Sequence, residues 1–324
     1  MKKLRNLKEW IVTDAFNGLS LISPTKLKLK GPDFFAIFAL GIVSIVWGTT
    51  WVVSKEGVKH IPALQMAGLR QFLGGSIYLL YFIFRKYPLP ERKDLFPLLV
   101  LSFLNFVCSN GLSTWGVKYI SAGLASIIGA IFPLWIVLIG LTGEVKTAPP
   151  RKAVLGFIIG FSGICIIFYD HLADFINPDF RFGIMLSLIA TWTWAFGTIY
   201  TKRHAKIFNP YFGLGFQMTI SGIILSIISM ADPAHTPIME IPETTWFAVF
   251  YLIIFGSLIG FICYLYALQH LPTEQTAIYA YINPIVALIA GWIFLDENLN
   301  PVIIGGCFVT LLGIYLVNSS YKIN

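Results

Sequence analysis

The chain has 324 residues, of which 56% are hydrophobic and only 12% charged, with a net charge of +7 and a mean hydropathy of +0.75. That balance lies outside the range of soluble globular domains and places the chain in a bilayer, where the unit to count is an apolar span of about 20 residues. The positive charge does not require a nucleic-acid partner, because most cations flank apolar runs, where they set orientation instead.

Residues 1–33 carry Lys2, Lys3, Arg5, Lys8, Lys26, Lys28 and Lys30, with Leu4, Leu7, Trp10 and Ile11 at helical spacing between the first cations. This stretch reads either as a short amphipathic helix on an anionic membrane surface or as a basic tail that fixes orientation. It lacks an apolar core followed by a small-residue cleavage site, so it is not expected to be a signal peptide.

After Pro32 the hydropathy pattern predicts ten apolar helices. They are Phe34 to Val53, Ala63 to Phe84, Leu95 to Trp115, Ala122 to Leu141 and Ala153 to Phe168, then Phe182 to Tyr200, Tyr211 to Met230, Trp246 to Leu268, Thr276 to Phe294 and Val302 to Val317. Lysine and arginine gather at the two ends and after the even-numbered spans, as Arg85, Lys86, Arg92, Lys93, Lys146, Arg151, Lys152, Lys202, Arg203, Lys206 and Lys322. The other loops are acidic, with Asp170, Asp174, Asp179, Asp232, Glu240, Glu243, Asp296 and Glu297. The positive-inside bias therefore puts both termini in the cytoplasm.

The pattern from Trp115 to Gly163 returns from Tyr266 to Gly313: an aromatic start, Pro133 or Pro284 at a matching offset, Glu144 or Asp296-Glu297, and a glycine-punctuated last segment. A repeat of about half the chain, with five spans in each copy, makes the second copy enter the membrane upside down. The expectation is an all-α integral membrane protein of ten transmembrane helices in two inverted five-helix repeats, residues 34–169 and 181–318. The first spans also match, Ser44-Ile-Val-Trp-Gly-Thr-Thr-Trp51 with Thr193-Trp-Ala-Phe-Gly-Thr-Ile-Tyr200. In the second spans Arg70 falls opposite Gln217, and Gly74-Gly75 opposite Ser221-Gly222, which predicts close helix packing at that depth.

Polar groups are costly in hydrocarbon, so those inside spans are the site candidates. Trp47, Thr50, Trp51 and Ser54 share one face of span 1; Asn105, Ser109 and Ser113, with Asn110 beside them, lie on span 3; Thr191, Trp194 and Thr198 lie on span 6; Thr276, Tyr279 and Asn283 lie on span 9. Trp47, Thr50, Trp51, Asn105, Ser109, Asn110, Trp194, Thr198, Tyr279 and Asn283 form the predicted substrate-binding set, lining one midplane cavity between the repeats. Amides and hydroxyls donate and accept, while aromatic rings cover apolar parts and attract ammonium groups, so the chemistry suits a neutral or zwitterionic solute. The competing reading of each stripe is hydrogen bonding between helices, with Trp10, Trp246 and Trp292 as interfacial aromatics.

Pro133 and Pro284 each free a backbone carbonyl within a span and mark hinges. Glu144 and Glu297 close their spans, where capping or docking of the following loop is expected. Arg70 is the one charge well inside a span; it either attracts a carboxylate or phosphate or ties span 2 to neighbouring carbonyls. No midplane carboxylate or histidine is evident, which predicts uniport or exchange. Cys108, Cys165, Cys263 and Cys307 fall in apolar runs and read as small core residues, not as disulfide or zinc partners.

The Trp-Gly-Thr-Thr start of span 1, the Gly-Leu-Arg70-Gln-Phe stretch of span 2 and the twice-used order of proline, apolar run, glutamate and glycine-rich last span resemble the EamA-type proteins of the drug/metabolite transporter superfamily, over residues 34 to 318. The resemblance implies a ten-helix carrier with cytoplasmic termini in the cell membrane, a cavity between the halves, and export of amino acids or other small metabolites. It places an arginine at the position of Arg70 in carriers of differing substrates, which favours a structural or gating role there. The long basic tail departs from the compact family pattern. The expected function is a secondary transporter working by alternating access, with a small solute and membrane lipids as partners and a second copy left open. No cofactor, metal or ATP is expected, since the chain has no P-loop, His-Glu-x-x-His or Cys-x-x-Cys. The alternatives are a flippase for a lipid-linked intermediate and an intramembrane enzyme, the second without any nucleophile and base to carry it.

Overall fold

A computed structural model of the protein describes residues 34–86, 89–132, 134–135, 139, 150–204, 210–271 and 279–320. The basic tail, Pro133, Glu144 and Thr276 lie outside the described residues. The described residues are helical throughout their ordered elements, with no strand. The helices are α1 (Phe34–Gly57), α2 (Ala63–Phe84), α3 (Arg92–Gly116), α4 (Ala122–Ala130), α5 (Arg151–Asp170), α6 (Pro178–His204), α7 (Pro210–Met230), α8 (residues 243–270), α9 (Tyr279–Leu295) and α10 (Pro301–Ser320). Seven are long and apolar enough to cross a membrane, and α9 and α10 are shorter apolar helices.

Proline sets many of the starts. Pro62, Pro150 and Pro242 immediately precede α2, α5 and α8, and α6, α7 and α10 begin on Pro178, Pro210 and Pro301. At a helix start proline's fixed φ is already helical and its missing N–H would have had no partner. Two helices depart from α geometry partway: α3 is π-helical over Ser102–Gly111 and α8 over Leu252–Ile259. Hydropathy carries no sign of either stretch, since bulging the backbone leaves the apolar content unchanged.

The radial distribution of residues is that of a protein solvated by lipid. Ile158, Phe161, Ile227 and Phe308 are more than half exposed on α5, α7 and α10, while Ser44, Ser126, Ser187, Ser221, Ser257 and Thr310 are buried between helices. In water this arrangement would expose the apolar face that folding should hide. In hydrocarbon it is the expected one, with small and hydroxyl residues at helix contacts. Cys165 also lies on an exposed face, against the expectation of four core cysteines; Cys307 is buried, and Cys108 and Cys263 are half-buried.

Two helix pairs approach through glycine backbones. On α2 and α7, a methyl at Gly75 would overlap Thr219, and one at Gly222 would overlap Phe72; further along, Gly68 faces Ser226 and Gly215 faces Tyr78. Residue numbers rise on α2 as they fall on α7, so the two helices run antiparallel. On α5 and α10, Gly163 faces Thr310 and Gly306, while Gly313 faces Gly160 and Gly156, again antiparallel and again reciprocal. Around these pairs α1 packs on α8 and α9, α6 packs on α3 and α4, and α4 meets α9. The loop after α7 is pinned to α2 by buried Gln65, whose amide donates to the Thr236 carbonyl and accepts from the Thr236 N–H at 3.1 Å.

Candidate functional site

Between these helices lies a cavity of about 180 Å³. It is lined by Trp47, Thr50, Trp51 and Ser54 of α1, Arg70 of α2, Ser109, Asn110, Ser113, Thr114 and Val117 of α3, and Ser126, Gly129, Ala130 and Phe132 on and just after α4. The other wall is Ala190, Thr191 and Trp194 of α6, Phe261 of α8, and Tyr279, Ala280 and Asn283 of α9.

Eight residues of the predicted set therefore converge: Trp47, Thr50, Trp51, Ser109, Asn110, Trp194, Tyr279 and Asn283. Asn105 and Thr198 do not. The Asn105 side chain is turned into the α3–α6 contact, where it occupies the space left by the missing side chain of Gly197. Thr198 donates to the Trp194 carbonyl at 2.8 Å and keeps its hydroxyl on its own helix. The stripe through Asn105, Ser109 and Ser113 assumed α-helical spacing, and the i→i+5 bonding of Ser102–Gly111 breaks that register. Pattern reading also passed over α4 and α8. Ser126 was the available signal, a hydroxyl within an otherwise apolar run beside Gly129, whose missing side chain admits the ring of Trp51.

Trp47 joins the cavity lining to an aromatic cluster. Its ring meets Phe261 at 5.1 Å and both Tyr264 and Tyr279 at 5.2 Å, centroid to centroid. Its indole N–H donates to the Gly256 carbonyl at 3.1 Å, and the Tyr78 hydroxyl donates to the carbonyls of Ser257 and Leu258 at 3.2 and 3.1 Å. The π-helical stretch of α8 shifts its own backbone pairing, and side chains of α1 and α2 take up the carbonyls that result. Gly48 of the Trp-Gly-Thr-Thr segment lets α1 press against Val286 of α9.

Several lining groups are already committed to backbone. Thr50 donates to the Trp47 carbonyl at 2.7 Å, Thr191 to those of Ser187 and Ile128 at 2.8 and 3.2 Å, and Ser126 to Gly123 at 2.6 Å. With its amide nitrogen assigned toward the neighbouring acceptors, Asn283 donates to the carbonyls of Ser44 at 2.8 Å and Tyr279 at 3.1 Å, which leaves its oxygen as the group to offer a solute. Pro284 sits inside α9 one residue further on.

One end of the bundle is fastened by two opposite charges. Ser121 caps α4 by accepting from the Leu124 N–H at 3.1 Å, and the Glu297 carboxylate, arriving from beyond α9, accepts from the N–H groups of Ala122 and Gly123 at 2.5 and 3.1 Å. Asp296 makes that approach possible with φ 52, a left-handed turn that sends the chain back over α9. Lys55, in the last turn of α1, donates to the carbonyls of Lys118 and Ile120 at 3.1 and 2.8 Å. Glu297 thus meets the start of a helix in the other half of the chain, where the sequence suggested capping or docking of its own following loop.

Apolar helices with lipid-compatible outer faces, packed round a chamber lined by hydroxyl, amide and aromatic side chains, define a multi-pass membrane protein. Comparison with known proteins narrows this further. The chain belongs to the EamA-like transporter family, whose model matches twice, at residues 34–169 and 181–319. It is 31% identical over 274 residues to the uncharacterized inner membrane transporter YedA of Escherichia coli (strain K12), covering 84% of this chain and 85% of that one. It is 28% identical to the uncharacterized transporter YvbV of Bacillus subtilis (strain 168), over 87% of this chain and 91% of the relative. At 26% identity it also matches the chloroplastic WAT1-related protein At3g02690 of Arabidopsis thaliana, over 84% of this chain and 66% of that protein. A protein of known crystal structure superposes with a TM-score of 0.61 at 14% identity, over 87% of this chain and 96% of its own, a likeness of fold.

Proposed function

We propose that the protein is a secondary transporter that moves small metabolites, amino acids or related zwitterionic and amphipathic solutes, through the central cavity by alternating access. On this reading residues 34–169 and 181–318 are inverted five-helix repeats, and both termini face the cytoplasm of the cell membrane. The observation that carries the proposal is a chamber walled by α1 to α4 on one side and by α6, α8 and α9 on the other, so that rocking the halves would expose it to either face. The reciprocal, antiparallel contacts of α2 with α7 and of α5 with α10 support inversion, because a two-fold relation makes each contact occur twice with partners exchanged. The cavity volume lies below the range of about 300–1,000 Å³ typical of drug-sized sites, which favours a small solute over a lipid-linked one. Export follows the family resemblance, and uniport or exchange remains the coupling proposed.

Uptake of a radiolabelled panel of amino acids, nucleosides and quaternary amines into proteoliposomes tests this. For the accepted solute, Asn110→Ala, Trp194→Ala and Asn283→Ala should each lower transport about tenfold or more at normal expression, the loss expected when a buried hydrogen-bonding or aromatic contact worth roughly 1–3 kcal/mol is removed. Unchanged transport in all three would remove the cavity from the route. An epitope after Asn324 that is accessible on the opposite face from one before Met1 would contradict the five-plus-five threading.

A further inference from the structure

We propose that Arg70 is the counter-ion of the transported solute, and that the cavity takes an organic monoanion with its carboxylate on the guanidinium and its apolar body among the indoles. The inference rests on the cavity being the transport site. Arg70 lies about 10 Å into α2 from its start at Ala63, counting 1.5 Å per residue. Its Nε donates to the Ser257 hydroxyl at 3.1 Å, and this tie to α8 is its one hydrogen bond among the described residues. Among the described residues no ion pair involves it and no carboxylate lines the cavity, whereas Arg70 itself is part of the lining. A structural bridge between α2 and α8 uses one of five N–H donors; the other four have no hydrogen-bond acceptor among the described residues. An uncompensated charge at that depth is costly, and a carboxylate would match the fork of the guanidinium in a bidentate pair.

The rest of the lining leans the same way. The indole N–H groups of Trp51 and Trp194 and the hydroxyl of Ser109 donate to no protein acceptor among the described residues, whereas most other lining hydroxyls are spent on backbone carbonyls. Those two indoles and that hydroxyl are donors still available to a solute's acceptor oxygens. Lys55 cannot share the charge, being held on the carbonyls of Lys118 and Ile120. A single cation among the described lining residues balances a single negative charge, which selects a carboxylate over a phosphate dianion.

The test uses the purified full-length protein and two series of probes differing only in the head group: 3-phenylpropionate, 3-phenylpropionamide and 3-phenylpropylamine, with butyrate, butyramide and butylamine beside them. Binding is read by tryptophan fluorescence and by thermal shift. At least one acid should bind about 100-fold more tightly than its amide, with the amine weakest. Arg70→Met should erase the acid's advantage and leave the amide where it was. Arg70→Lys, which keeps the charge and loses the fork, should weaken the acid about tenfold and spare the amide. If Arg70→Met does not fold, Arg70→Lys and Ser257→Ala decide the matter: Ser257→Ala should retain the preference for acid, since it removes only the tie to α8. Acid and amide binding alike, both falling equally in Arg70→Lys, or neither acid binding, overturns the proposal. Failure of the cavity reading looks different: a probe then binds with an affinity that Trp194→Ala and Asn283→Ala do not alter.

Discussion

Alanine at Gly313 is expected to cost the fold about 1–3 kcal/mol, while alanine at Gly305, on the same helix, should leave stability unchanged or raise it by up to about 1 kcal/mol. The substitution is chemically identical, so the difference isolates what each glycine faces. A methyl at Gly313 would overlap the backbone of Gly160 on α5, and backbone has no rotamer with which to yield. At Gly305 there is nothing within 4 Å of the added methyl, and only helix propensity changes. In lipid there is no hydrophobic force to hold α5 on α10, so dispersion across a close backbone contact has to do it, and a contact held apart by even one methyl loses much of that attraction. Melting curves of the two detergent-purified variants provide the comparison. Equal midpoints would mean that α10 and α5 are not packed through these glycines. The same contrast should appear at the other pair, where Gly75→Ala and Gly222→Ala are each expected to destabilise, because each would press on a backbone across the α2–α7 contact.

The glycines show how much of this protein was legible beforehand. Apolar runs bounded by proline and charge gave helices whose ends match the structure to within about four residues, except that α4 stops at Ala130 and the expected end of its span, Leu141, lies outside the described residues; hydrophobicity and proline act locally along the chain. The repeat led to Gly74-Gly75 and Ser221-Gly222 as matched close-packing positions, yet not to their facing each other, since a repeat gives equivalence and not contact. Most of the cavity was legible for a similar reason: in an apolar span few forces besides a polar interior retain Trp47, Thr50, Trp51, Trp194 and Asn283 on shared faces. Asn105 was misplaced because the face was drawn with α-helical spacing through a stretch that is π-helical, and nothing in Ser102–Gly111 announces that backbone. Arg70 was legible as a charge inside a span but not as one without a carboxylate beside it among the described residues; pairing depends on what α8 and the cavity bring to it, which the order of residues in α2 does not contain. The fastening of α4 by Glu297 was hidden for the same reason, as the two residues it joins to are about half the chain away.

Removing that carboxylate gives the second large effect. Glu297→Ala is expected to destabilise the protein by about 3 kcal/mol, from two charge-assisted hydrogen bonds to backbone and the favourable position of a negative charge at a helix start. The Ser121 cap would remain, holding only the Leu124 N–H, so the first turn of α4 would open far more often than the rest of the helix. Hydrogen exchange should accordingly accelerate at Ala122 and Gly123 by about tenfold or more, with α2 and α7 unaffected. Glu297→Gln, which keeps an oxygen to accept one of the two N–H groups and loses the charge, should fall between wild type and Glu297→Ala. Lys55→Gln should act on the preceding segment, since Lys55 holds the carbonyls of Lys118 and Ile120 while Glu297 holds the next two N–H groups. Together the two charges grip the short link between α3 and α4 from α1 and from α9, and α1 and α9 pack on each other. A rocking motion that separates α4 from α9 must break the Glu297 grip, so the same substitution that weakens the fold should make that end of the cavity easier to open. Exchange at Ala122 and Gly123 that stays slow in Glu297→Ala would show that α4 is held by apolar packing alone, and would remove the charged grip as a barrier to opening.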